Sequence, residues 1–392
     1  MSNLKDKLPL PYQSIPEEWG IDYISNIAVI ATGDSDTQDK IDTGEFPFYV
    51  RSQTVERADK FTFDGEAILT AGDGAGVGKI FHLVSGKFAL HQRVYRISNF
   101  AKHIAPEFLF AYFSENFVRQ VCKYTAKTSV DSVRMDMIAN MAIPIPPLPE
   151  QRKIVNTLSI WDKAINIAEK LVVTSKQQRK SIIQQLLTGS VRFKDEEGNI
   201  YPKWVFEPIG KYLKPYKELV PAETSIPILT SSRTGLYIQE RSVINEGDYG
   251  VVPLGYFTYR HMSDDLTFKF NVNRTWDKGA VSKEYPVFKT VGLDSYFLET
   301  QLNEGNDFKR FAIQQKQGGT RTRLYFKNLK ELKLNLPCLR EQQKISSMLI
   351  VADKEIEMLE TKLAHLKQEK KALMQQLLTG KRRMKVDEVE AA

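Results

Sequence analysis

Pro146-Pro147-Leu148-Pro149-Glu150-Gln151-Arg152-Lys153-Ile154 opens a segment that closes on Gln184-Gln185-Leu186-Leu187-Thr188-Gly189. The chain contains this segment twice. Pro337 to Gly380 aligns with Pro146 to Gly189 at an offset of 191 residues without a gap, and 20 of 44 positions are identical. The shared residues include Glu150/Glu341, Gln151/Gln342, Lys153/Lys344, Asp162/Asp353 and Lys163/Lys354. A weaker echo precedes each copy, Pro16-Glu17-Glu18-Trp19 in the first and Pro202-Lys203-Trp204 in the second. The offset is about half of the 392 residues, so the molecule is two tandem half-units. The order is a variable block (1–145), a long helix with linker (146–200), a second variable block (201–335) and a second long helix with tail (336–392).

Both copies are expected to be helical. Pro149 suits a first-turn position, and Glu150 and Glu341 favour the positive end of a helix. Gly189 and Gly380 sit where a left-handed C-terminal cap belongs. No proline or glycine interrupts either copy between these ends. About 39 residues at 1.5 Å each give roughly 58 Å, and a free helix of that length needs a partner. A seam supplies one. Steps of four and three select Ile154, Leu158, Trp161, Ile165, Ala168, Val172, Ser175, Arg179, Ile182 and Leu186 in the first copy. In the second they select Ile345, Leu349, Ala352, Ile356, Leu359, Leu363, Leu366, Lys370, Leu373 and Leu377. The mean spacing of 3.5 is that of a coiled coil. Both copies carry a basic residue at the same late step. An antiparallel intramolecular pair is preferred, which would put the blocks at opposite ends of a rod. The alternatives are a helix packed on its own block or an intermolecular zipper.

The variable blocks read as mixed α/β globular domains. Phe46 to Val50 and Val251 to Leu254 are strand-like, and Pro106 to Cys122 and Asp294 to Gln317 are helical. Charge differs between them. Residues 1–145 hold 15 basic and 18 acidic residues, net −3, and residues 201–335 hold 20 and 15, net +5. The whole chain is +7, which permits a polyanionic partner without establishing one.

Several function classes are disfavoured. Two cysteines, Cys122 and Cys338, make neither a disulfide scaffold nor a thiolate zinc site, and the five histidines form no metal-binding motif. Met1 to Pro11 lacks an apolar signal core, and no apolar run reaches about 18 residues, so a cytoplasmic location off the membrane is expected. Gly72-Asp73-Gly74-Ala75-Gly76-Val77-Gly78-Lys79-Ile80 imitates a phosphate loop. However, Asp73 stands where that pattern needs glycine, and Ile80 where it needs Ser or Thr. A tight loop bringing Lys79 near some other anion, or a plain hairpin turn, fits better. No nucleophile elbow, methyltransferase tetrad or nuclease core is present.

Polar and aromatic clusters suit base reading. The candidates in the first block are Arg51, Ser52, Gln53, Lys79, His91, Gln92 and Arg93. In the second they are Ser232, Arg233, Arg260, His261, Asn273, Arg274, Lys316, Thr320, Arg321 and Arg323. Arg and Lys pair with guanine and Asn or Gln with adenine in the major groove. The plainer alternative is solvated loops with structural hydrogen bonds.

Together, Pro146 to Ile154, the long helix, the Gln-Gln-Leu-Leu-Thr-Gly ending and the duplication resemble the specificity subunits of type I restriction–modification systems. Pro16 to Trp19, Phe48-Tyr49-Val50-Arg51-Ser52 and Gly318-Gly319-Thr320-Arg321 add to the likeness, which covers essentially the whole chain. Cys338-Leu339-Arg340 departs from Pro147-Leu148-Pro149 and leaves the second helix start less rigidly set. The resemblance implies a non-catalytic, DNA-binding subunit with two target-recognition domains. Each would read one half of a bipartite asymmetric site in double-stranded DNA, and an antiparallel coiled coil would fix the spacer. It implies two modification subunits methylating adenine N6 with S-adenosylmethionine. It further implies two restriction (endonuclease/translocase) subunits using ATP and Mg²⁺, with no cofactor on this chain. The competing readings are a coiled-coil scaffold or interaction protein that does not bind DNA, and an unrecognised nuclease.

Overall fold

The computed structural model describes residues 15–124, 132–240, 246–316 and 321–385. Thr320, like Gly318 and Gly319, lies outside them. The chain forms two compact units. Unit 1 joins residues 1–169 to 362–392, and unit 2 comprises 170–361. The division cuts both long helices midway, so each unit contains one variable block and half of each helix. Among the described residues, no helix is long and apolar enough to cross a membrane.

Unit 1 begins with β1 (Gly20–Tyr23), α1 (Ile24–Ile27), β2 (Val29–Thr32), β3 (Phe46–Tyr49), β4 (Glu56–Ala58) and β5 (Phe63–Asp64). It continues with β6 (Ala67–Ala71), β7 (Phe81–Val84), β8 (Lys87–Leu90), β9 (Val94–Ser98), α2 (Pro106–Cys122), α3 (Met135–Ala139) and β10 (Ala142–Ile145). Two four-stranded sheets run in the orders β2-β9-β6-β7 and β4-β3-β8-β5, and β1 pairs antiparallel with β10. Strand β6 is buried at every residue, which suits its unbroken apolar run Ala67-Ile68-Leu69. Phe113 and Phe117 of α2 lie one turn apart and both meet Phe81 of β7 edge-on.

Helix α4 (Leu148–Thr188) then spans 41 residues. Unit 2 contains β11 (Val205–Pro208), β12 (Leu213–Pro215), β13 (Leu219–Pro221), β14 (Leu229–Ser231), β15 (Leu236–Ile238) and β16 (Asp248–Pro253). Next come β17 (Phe257–Tyr259), β18 (Met262–Ser263), β19 (Phe270–Val272), β20 (Lys278–Ser282) and β21 (Val287–Thr290). The unit closes with α5 (Ser295–Glu304), α6 (Asn306–Gln314), β22 (Thr322–Arg323), α7 (Phe326–Leu329), β23 (Lys333–Leu336) and α8 (Leu339–Leu377). Its principal sheet runs β12-β21-β17-β19, beside the three-stranded β13-β16-β20. Within the described residues, the helix expected over Asp294 to Gln317 is two helices, and Gln317 lies outside those residues. Gly305 between them is extended (ψ 143°), and a Cβ there would lie 2.4 Å from the Gln301 carbonyl oxygen, so the chain turns where only glycine fits.

The helices run antiparallel within each unit. In unit 1, Lys370 Nζ reaches Asp162 at 2.5 Å and Lys367 Nζ reaches Glu169 at 2.7 Å. In unit 2, Lys176 Nζ reaches Glu360 at 2.6 Å, and Arg179 bonds Asp353. Partner numbers fall as α4 numbers rise. All the seam positions read from the sequence are buried or partly buried. The helix ends also belong to the domain cores. Ile154, Leu158, Leu377 and Leu378 pack into unit 1 with Trp19, Phe108 and Ile143. Ile183, Leu186, Leu187, Ile345 and Leu349 pack into unit 2 with Ile209, Phe297 and Leu336. Packing on a block and pairing with the other helix are therefore not alternatives; both occur in each unit. Each fully buried Leu or Ile contributes about 1.5–3 kcal/mol.

The basic seam residues have partners related by the repeat. Lys370 faces Asp162, and Arg179 faces Asp353. Arg179 additionally holds Glu304 of α5 at 2.9 Å, while Tyr296 donates to Asp353. Burial opposes the Arg179 charge, but Glu304 and Asp353 outweigh it and hold the guanidinium proton more tightly than usual.

Candidate recognition surfaces and helix anchors

The repeated Glu-Gln pair anchors each helix start. In unit 1, Glu150 accepts from Trp19 Nε1 at 3.1 Å, Arg383 Nε at 2.9 Å and Met384 N–H at 3.0 Å. In unit 2, Glu341 accepts from Trp204 Nε1 at 3.0 Å and Arg192 Nε at 2.8 Å. Each arginine binds its carboxylate through two nitrogens and lies over its tryptophan ring, at 5.7 Å for Arg383 and 5.5 Å for Arg192. Burial would raise the Glu150 pKa, but the bonds from Arg383, Met384 and Trp19 prevail and hold it below the usual carboxylate range. Gln151 accepts from Ala105 N–H at 2.8 Å and donates to the His103 and Pro146 carbonyls. Gln342 accepts from Asp294 N–H at 2.8 Å and donates to the Pro337 carbonyl. Gly189 and Gly380 end the helices in the left-handed region, at φ 71° and 72°. Arg192 and Arg383 follow three residues later, so the cap aims each arginine at its carboxylate. The sequence reading missed these arginines, although their shared distance from the repeated glycine was a usable signal.

In unit 1, the glycine loop after β6 is a turn that presents Asp73. A Cβ at Gly72 would lie 2.8 Å from the Arg93 carbonyl oxygen, and one at Gly76 2.5 Å from that of Arg51. These two glycines therefore seat the loop directly on the backbones carrying Arg51 and Arg93. Asp73 Oδ1 accepts from Arg51 Nη1 at 2.6 Å, and Oδ2 from Arg93 Nη1 at 2.9 Å. Desolvation works against the Asp73 charge, yet the two guanidiniums hold its carboxyl below the usual range. Both arginine side chains remain exposed, at 41% and 59%. Ser52 and Gln53 are also exposed, with the Ser52 hydroxyl on the Thr54 carbonyl at 3.1 Å. Gln92 and Lys79 are exposed.

His91 is placed differently, with its side chain only 4% exposed. Its Nδ1 accepts the Arg93 N–H at 3.0 Å, its Nε2 lies 3.3 Å from Thr37 Oγ1, and its own N–H donates to the Tyr49 carbonyl. Burial and then Arg51 depress its pKa, which favours the neutral ring. Through its ring on the Arg93 N–H and its own N–H on the Tyr49 carbonyl, His91 links the turn before β9 to the end of β3, the two backbones that carry the arginines. A groove of 420 Å³ beside them is lined in part by Thr37, Lys40, Arg51, Asp73 and His91.

In unit 2, arginines again converge on acids. Arg233 Nη2 donates to Asp265 at 2.7 Å, and Arg321 Nε to Asp264 at 2.9 Å. Asp265 also accepts from the Thr267 N–H at 3.1 Å and Ser263 Oγ at 2.9 Å. The Thr267 N–H, the Ser263 hydroxyl and Arg233 push its pKa down to about 2. Ser232 folds onto Thr234 and Gly235, shaping the turn that carries Arg233. Buried Asn271 braces that turn through Ser231 Oγ and the Ser232 carbonyl, each at 2.9 Å. Arg323 at the end of β22 and Arg260 just before β18 are exposed, and Lys316 is exposed after α6. Three candidates sit elsewhere. Asn273 is buried and donates to the Val252 and Trp276 carbonyls. Arg274 is held by Glu299 of α5. His261 is half-buried, its ring stacked on Tyr325 at 6.2 Å between centroids. Among the described residues, no group of three or more His, Cys, Asp or Glu is placed to hold a metal ion.

The model of the type I restriction modification DNA specificity domain matches residues 16–174 and 287–368, more than half of the chain. The protein belongs to this family, that of the specificity subunits of type I restriction–modification systems. It is similar to the type I restriction enzyme MjaVIII specificity subunit of Methanocaldococcus jannaschii, 24% identical, covering 95% of this chain and 94% of that one. The EcoDI specificity subunit of Escherichia coli is 25% identical over 48% of this chain and 40% of its own. The fold matches the crystal structure of the type I S subunit from M. genitalium, with a TM-score of 0.59 at 15% identity, covering 95% of this chain and 98% of that one. A second type I restriction–modification structure gives 0.58 at 15% identity, covering 93% and 99%.

Proposed function

We propose that this chain is the non-catalytic DNA-reading subunit of a type I restriction–modification complex. Each variable block reads one half of a bipartite asymmetric site, and the paired helices set the unspecified gap between the halves. The observation that carries this reading is the composition of each unit: one variable block rooted by the same Trp–Glu–Arg corner on halves of both helices. A differing block on a repeated mount is what a two-part target requires.

The helices support docking of partner subunits. Ile160 and Ile167 in unit 1 and Val351 and Met358 in unit 2 are exposed apolar residues at matching positions of the repeat. In the proposed complex, two modification subunits meet these faces and transfer methyl groups from S-adenosylmethionine to adenine N6. Two restriction subunits use ATP and Mg²⁺, and this chain binds neither nucleotide nor metal. The target adenine must leave the base stack, which falls to the methyltransferase partner. The site of action is the cytoplasm.

The test is long-read mapping of N6-methyladenine across the host genome with and without the gene. Loss of one split motif with a fixed gap is expected on deletion. Exchanging residues 1–145 for another such block is expected to change one half-site only. A wild-type methylome unaffected by deletion, with active partner subunits present, would favour the scaffold alternative.

A further inference from the structure

Building on the recognition reading, we infer that Arg51 and Arg93 are guanine-reading side chains of unit 1, held in register by Asp73 as a positioning residue. The site is assembled from three places in sequence: the end of β3, the loop after β6 and the turn before β9. The cluster has a geometry that stability alone does not demand, because exposed ion pairs contribute little to folding. The loop is nevertheless built around it. Gly72 and Gly76 exist as close backbone approaches to Arg93 and Arg51, and Gly74 and Gly78 hold φ of 74° and 67°. Beneath the cluster, buried His91 fastens both arginine-bearing backbones through the Arg93 N–H and the Tyr49 carbonyl.

The donor count fits a base edge. Asp73 takes one N–H from each guanidinium, at 2.6 and 2.9 Å. Among the described residues, the Nε and Nη2 of each arginine make no other bond. Each fork therefore keeps several donors while its rotamer is restrained, and the cluster retains a net positive charge. Guanine presents O6 and N7 as paired acceptors in the major groove, which is the match for a restrained guanidinium. A restrained fork also loses less side-chain entropy on binding than a free one. Unit 2 has the same chemistry on unrelated loops, with Arg233 on Asp265 and Arg321 on Asp264.

The test uses the chain co-expressed with the modification subunits of its own system, with methylated motifs read genome-wide and duplex binding measured on purified complexes. Arg51→Ala and Arg93→Ala are each expected to relax one guanine position in the half-site read by block 1. Discrimination there should fall roughly 10- to 100-fold, with the other half-site and the gap unchanged. Asp73→Asn is expected to relax the same two positions more weakly, with an unchanged melting temperature, an effect a purely structural residue would not localise to those bases. Uniform loss of affinity on all sequences, with the salt slope reduced by about 1, would make the arginines phosphate contacts and overturn the assignment. So would a shift in the half-site read by block 2. A wild-type complex that methylates no split motif would overturn the recognition reading itself and this assignment with it.

Discussion

The helix anchors of the two units are nearly the same object, whereas their arginine clusters are not. Trp19–Glu150–Arg383 and Trp204–Glu341–Arg192 use the same three residue types and the same donor atoms. At the arginine clusters, one aspartate holds two arginines in unit 1, and two adjacent aspartates hold one each in unit 2. The anchor must meet a fixed geometry, the start of one helix and the end of another. The exposed arginine clusters meet no such constraint, and similar chemistry is reached from different loops. Repetition in this chain marks where the two blocks are mounted, and divergence marks where they differ in what they contact.

The largest effect should come from charging a helix root. Ile154 and Leu349 are fully buried in separate cores. Ile154→Asp is expected to cost about 4 kcal/mol or more, collapsing hydrogen-exchange protection in unit 1 while unit 2 keeps its own. Leu349→Asp should do the reverse. Equal loss in both units from either variant would show that they fold as one.

A smaller effect is expected at the anchors. Glu150→Gln and Glu341→Gln each remove a charge facing an arginine and should cost about 2–3 kcal/mol, read by calorimetry. Very unequal losses would break the equivalence of the two corners. The Glu150 pKa is depressed in the folded state, so its contribution is complete above the unfolded value of about 4.3 and is lost as pH falls through the folded value. Unit 1 of the wild type should therefore loosen in acid below about pH 4.3, and Glu150→Gln should remove that part of the pH dependence.

The helix-ending glycines separate the two corners most finely. Both have positive φ, so either alanine substitution carries a strain of about 1 kcal/mol. A Cβ at Gly380 would also lie 2.4 Å from Pro16 Cδ, whereas the nearest atom to one at Gly189 is on Trp204, at 3.4 Å. Gly380→Ala is expected to cost about 3 kcal/mol and Gly189→Ala about 1 kcal/mol by thermal melting. Equal costs would mean that the Pro16 ring yields freely.

Much was legible before the structure. The seam positions are the less exposed faces of α4 and α8, because apolar spacing of 3.5 is a local property that a helix converts directly into one side. The cap glycines and the basic residue late in each seam could also be read, whereas the aspartate each one meets came from the structure. The arginine clusters could only be nominated, since Arg51, Asp73 and Arg93 are brought together by sheet pairing. Likewise, His91 and Asn273 carry polar groups suited to base contact, but sheet and turn packing place them inside.

The sequence by itself determined that there are two half-units, that each ends in a long helix, and which side of each helix is apolar. All of these follow from periodicity and repetition along one chain. Only the tertiary structure decided that the compact units cut through the helices and that Arg192 and Arg383 complete the glutamate anchors. It also decided that a loop resembling a phosphate cradle instead presents an aspartate to two arginines. These depend on contacts between residues distant in sequence, where backbone approach and side-chain reach set the outcome and local pattern has no bearing on it.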